Sequence, residues 1–100
     1  MTQNTLPEME HQRVGRELQT ELAHSMRMAA LDAGKTDGVT NSRLRTMADK
    51  LQAAIPLAKG EKRAKLTQAH SLLQQVATAP EIDEAQYRVL HELVTQGIAP

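Results

Sequence analysis

The chain has no cysteine, no phenylalanine and no tryptophan, and Tyr87 is its one aromatic residue. Without thiols it can form no disulfide, no thiolate nucleophile and no cysteine-ligated metal site. Without aromatics, Leu, Ile and Val must fill any interior, with Met and Ala between them. Pockets for small molecules usually have apolar and aromatic walls around a few convergent polar groups, and here the aromatic material is missing. Net charge of one sign is also absent: 12 Lys and Arg balance 12 Asp and Glu. No apolar run approaches the ~20 residues of a membrane-spanning helix. The polar, acidic N-terminal stretch lacks the apolar core of a signal peptide. These absences make a cytoplasmic location away from membranes the expectation.

One hundred residues suit one small domain, burying only about 60–65% of the surface its unfolded form exposes. Leu, Ile and Val make up about a fifth of the chain, near the level where folding becomes marginal. Balanced charge argues for a folded chain, since disorder usually combines low hydrophobicity with high net charge. The expectation is a thin core, which suggests a partner protein or a homodimer.

What is present is helical. Ala, Leu, Gln, Glu, Lys and Arg dominate, all good helix formers, and no segment sustains two-residue alternation. Val14, Leu18, Leu22, Met26, Ala29 and Ala33 form one stripe. It implies a first helix over about 7–33, about 40 Å long at 1.5 Å per residue. Gly15 lies on this stripe, where it would let another backbone approach closely. After Gly38, Thr40 or Asn41 can cap a second helix over about 42–55, with Leu44, Met47, Leu51, Ala54 and Ala58 inward. Pro56 ends or kinks it. A third helix over about 61–77 places Leu66, Ala69, Leu73 and Val76 inward. A fourth over about 81–96 presents Ile82, Ala85, Val89 and Leu93, and Gly97 ends it. Residues 1–6 read as a flexible segment, 7–97 as a single helical domain and 98–100 as a tail. Short links favour antiparallel neighbours. The predicted fold is all-α: a small four-helix up-down bundle with a long first helix.

Two stretches look alike: "TLPEMEHQRVGRELQT" near the start and "TAPEIDEAQYRVLHELVT" near the end. Both read as helix starts, with Pro7 and Pro80 suited to the first helical position. The second carries a further start signal, the Asp83-x-x-Gln86 box, with Ile82 able to staple onto Tyr87. An internal duplication would pair other helices, so it is not adopted.

Charge is unevenly spread. Residues 41–70 carry seven cations against two acids, a balance of +5; residues 1–40 stand at −2 and 71–100 at −3. "KGEKRAK" is the densest basic cluster. One reading places this basic hairpin beside the acidic first and fourth helices. Another makes it a phosphate-binding surface whose contacts release counterions. Overall neutrality and the lack of stacking aromatics weigh against the second.

No reaction centre emerges. His11, His24, His70 and His91 form no His-x-x-x-His pair, and His91-Glu92 lacks the second histidine of a zinc-protease helix. Glu21-x-x-His24 matches a bundle-metal motif once, but both residues fall off the apolar stripe, as in a surface pair. "AGKTDG" lacks the earlier glycine and preceding strand of a phosphate loop. No catalytic residue, metal or cofactor is therefore assigned. The expected function is a non-enzymatic helical interaction module, of adaptor, chaperone, inhibitor or immunity type, docking by helix faces. Its expected apolar contacts are Met26, Met28 and Leu31, and its charged contacts Lys62, Arg63 and Lys65. The alternative is a nucleic-acid-binding regulator using the basic 43–65 hairpin.

Overall fold

The computed structural model describes residues 9–31 and 38–99. Four helices follow one another: α1 (Glu10–Ala30), α2 (Gly38–Ala54), α3 (Gly60–Val76) and α4 (Glu84–Ile98), with a 3-10 turn over Ile55–Leu57. No strand occurs among the described residues. The all-α four-helix bundle read from periodicity is what the chain forms, and α1 is its longest helix.

Each helix packs on its neighbours in sequence, and α1 also packs on α4; the α3–α4 pairing is the most extensive. Between α1 and α4, Gln12 meets Ile98 and Gln19 meets Thr95. Residue numbers rise on one helix as they fall on the other, so this pair is antiparallel. The α1–α2 pair runs the same way, with Glu17 opposite Lys50 and Glu21 opposite Arg43. The shared interior is a row of leucines, Leu18, Leu44, Leu51, Leu66, Leu73 and Leu90, each fully buried. Hiding one such side chain contributes roughly 1.5–3 kcal/mol, so these rows hold the bundle together.

Several helix boundaries differ from the sequence expectation. Met9 is extended and α1 starts at Glu10, where the Gln12 side chain accepts the Met9 N–H at 3.1 Å. The expected flexible segment 1–6 and Pro7 lie outside the described residues, as does Ala33. The second helix begins at Gly38, so Thr40 and Asn41 are inside its first turn and not caps. Asn41 instead donates from Nδ2 to the Ala79 carbonyl. Pro56 ends α2 by forcing the 3-10 turn. Gly60 then starts α3 at φ +61°, a left-handed conformation that favours glycine.

The largest corrections fall on α4. Pro80 is not at its first helical position: the helix starts at Glu84, and the Asp83 carboxylate caps it by accepting from Ala85 and Gln86 N–H. The Thr78 hydroxyl turns back to the carbonyls of Gln74 and Gln75 at the end of α3. Gly97 does not end α4, which runs on to Ile98. The inner face is also rotated. Tyr87, Leu90, Val94 and Gly97 are buried, whereas Ala85 is exposed and Val89 is 53% exposed. Ile82 and Leu93 are half-buried against the core. Tyr87-Leu90-Val94 offers more apolar bulk at the same spacing than Ala85-Val89, so it takes the interior.

Candidate interaction surface

At the base of the bundle, α1 fits tightly against the end of α4. A side chain at Gly15 would collide with the Ile98 Cγ2 methyl and sit 3.3 Å from a Val94 methyl. The close approach expected at Gly15 is not that of a backbone: the space is taken by the Ile98 and Val94 side chains of α4. His11 is buried here, and its Nδ1 has no hydrogen-bond partner. Burial holds its pKa below the usual 6.5, and the Lys62 charge lowers it further.

The basic residues expected to contact a partner lie at this same end, on the first turns of α3. Arg63 folds back onto the preceding turn: Nε donates to the Ala58 carbonyl at 3.0 Å and Nη2 to that of Pro56 at 2.9 Å. Lys62 and Lys65 are half-buried. Elsewhere in the basic hairpin, Arg43 holds Glu21 and Lys50 holds Glu17. Part of the cationic cluster is thereby committed within the chain. Glu21 serves Arg43, with Nη2 2.9 Å from Oε1.

Met26, Met28 and Leu31 sit at the opposite end. From His11 to Met28 is 17 residues, about 25 Å along the helix axis. The six expected contact residues therefore do not make one surface. The apolar three divide further. Met26 is 37% exposed and faces α4, which corrects its expected place on the inward stripe. Met28, 45% exposed, is about 200° around the helix from Met26 at 3.6 residues per turn, on the α2 side with Glu17 and Glu21. Leu31 is 83% exposed. Val39, in the first turn of α2, is exposed at the same end.

Met26 forms part of a groove of about 240 Å³ between α1 and α4. Leu22, Met26 and Tyr87 give it an apolar floor, and Gln19, Glu84, Arg88 and His91 stand around it. Burial pushes the Tyr87 hydroxyl up to about 12, against a smaller opposing pull from the Ser25 hydroxyl. The Tyr87 hydroxyl makes no hydrogen bond of good geometry. Tyr87 thus stays protonated and serves as bulk. A second, more polar cavity of about 450 Å³ lies between α2 and α3, with Arg45, Asp49, Gln74 and Thr78 in its walls. Neither cavity was read from the sequence. For the first, the signal was available in the spacing of Glu84, Arg88 and His91 on one face of α4 beside the only aromatic residue.

Among the described residues, no group of three or more His, Asp or Glu is placed to hold a metal ion, and no helix is long and apolar enough to cross a membrane. Fold and surface together define a small helical bundle with apolar side chains exposed at both ends, Met28, Leu31 and Val39 at one and Met9 and Leu57 at the other. Compared with known proteins, the chain matches no family model, no curated protein and no solved structure.

Proposed function

We propose that this protein is a non-enzymatic, cytoplasmic interaction module that docks an amphipathic helix of a protein partner onto the end of α1. It would act as an adaptor, chaperone, inhibitor or immunity-type protein does, by occupying a surface. The observation that carries the reading is the exposure of Met28 and Leu31, at 45% and 83%, within one turn of each other. Exposed large apolar groups scattered singly are ordinary, but clustered ones mark contact surfaces. Met suits such a surface because its flexible side chain adapts to a partner. The Glu21–Arg43 and Glu17–Lys50 pairs lie on the same side of α1 but are committed to each other, so the docking would rest on the apolar contact.

The test places a photo-crosslinking residue at position 31, and as a control at position 68, in nuclease-treated lysate of the source cell. The expected result is a protein adduct formed from position 31 only, mapped to the apolar face of a helix in the captured protein and lost with Met28→Glu. Equal labelling from both positions, or recovery of nucleic acid alone when nuclease is omitted, contradicts the reading. The second outcome would favour the basic 43–65 hairpin as a nucleic-acid surface.

A further inference from the structure

We propose that the α1–α4 groove seats a second copy of this chain, related to the first by a two-fold axis through the middle of the groove. The inference rests on the reading of the protein as an interaction module, but it uses a different face from Met28 and Leu31.

The order of charges along α4 carries the argument. Glu84 stands at one end of the groove, with Arg88 and His91 toward the other, and Tyr87 and Met26 lie between. Glu84, Arg88 and His91 are exposed. None of the three forms an ion pair among the described residues. Glu84 and Arg88 are even spaced for an intrahelical pair, which they do not form. Their charges remain available to an outside partner. A half-turn about the groove's centre reverses their order, so Glu84 of each copy comes opposite Arg88 and His91 of the other.

Self-complementarity of this kind is what a two-fold interface requires, because the same patch serves both sides. Opposite charges at both ends fix register and reject a parallel arrangement, in which like charges would meet. The centre supplies apolar contact: Met26, 37% exposed, can pack against the partner's exposed Ala23 and Met26, above the buried Leu22 and Tyr87. An apolar centre within a polar rim is the usual anatomy of a specific interface. The cations of the basic hairpin are not needed.

Sedimentation equilibrium of the full chain over a wide concentration range tests this, with Glu84→Lys, Arg88→Glu, the double variant Glu84→Lys/Arg88→Glu, and Met26→Glu. Circular dichroism melting checks that each variant folds. The wild type is expected to show a monomer–dimer equilibrium. Each single reversal places like charges in contact and is expected to weaken association about tenfold or more, equivalent to ~1.4 kcal/mol. The double variant restores the pairing with its sign exchanged and should recover association. Met26→Glu should leave only monomer. A wild type that stays monomeric at the highest concentration, a double variant no better than the singles, or a dimer indifferent to Met26→Glu overturns the proposal. Met28→Glu should leave the dimer intact, so loss of the position-31 adduct without loss of the dimer, or the reverse, tells which reading has failed.

Discussion

His11 shows how one residue can carry a condition for folding that composition does not display. It is 5% exposed and its Nδ1 is closed to solvent without a partner. Lys62 adds a positive charge from α3, while the last turn of α4 and the 3-10 turn bring no ionisable side chain. Folding therefore favours the neutral imidazole, and the unfolded chain binds the proton more readily. Its contribution to stability is complete above the unfolded value of 6.5 and is lost as pH falls through 6.5 and on through the lower folded value. Urea unfolding at pH 7.5 and 5 should show a larger loss in the wild type than in His11→Gln. Equal losses would show that His11 is not the group responsible. Helical spacing from Leu18 and Leu22 puts His11 on the inward face, but the Lys62 charge beside it is not legible in sequence, because that contact joins residues 51 positions apart. Met26 marks the opposite limit: it lies on the edge of its stripe, where spacing alone does not separate buried from exposed.

Whole helices were more legible than their ends. Leu18-Leu22, Leu44-Leu51 and Leu66-Leu73 leave one apolar face each, so α1 to α3 were oriented correctly. On α4 two stripes compete, Ala85-Val89-Leu93 and Tyr87-Leu90-Val94, and only packing against the other helices decides between them. At the ends, Thr78-x-x-Glu81 and Asp83-x-x-Gln86 both look like starts, and the chain uses Asp83. Asp83→Ala should destabilise the bundle by about 1 kcal/mol, the usual loss for an N-cap carboxylate. Arg63 was expected to face a partner, and its two bonds to backbone carbonyls give it a part in the turn between α2 and α3. Arg63→Ala should cost about 1 kcal/mol, given its exposure. Arg63→Lys should not fully recover this, since an ammonium lacks the planar fork. Urea midpoints of the three variants check both expectations; no change in Asp83→Ala would remove the capping role assigned here.

For the whole molecule, the dimensions explain why a fold was easier to read than a function. The principal extents are 48 × 31 × 20 Å and the radius of gyration is 14.1 Å, slightly above the ~13 Å of a compact 100-residue domain. Twenty ångströms is two layers of helices, each roughly 10 Å across. Such a slab has one aliphatic seam and much surface, so periodicity reveals its interior. Its surface chemistry depends on which ends and faces meet. Residue type marks the six expected contact residues but not their placement, and folding separates Lys62, Arg63 and Lys65 from Met26, Met28 and Leu31 by nearly the length of α1.

The central claim is that the apolar end of α1 belongs to the surface and is not needed by the core. Urea unfolding of Met28→Ser/Leu31→Ser tests it most directly. The account predicts a stability within about 0.5 kcal/mol of wild type, as for substitutions that touch no buried feature. A loss of about 2 kcal/mol or more, the range of core truncations, would place these side chains in the interior and contradict it.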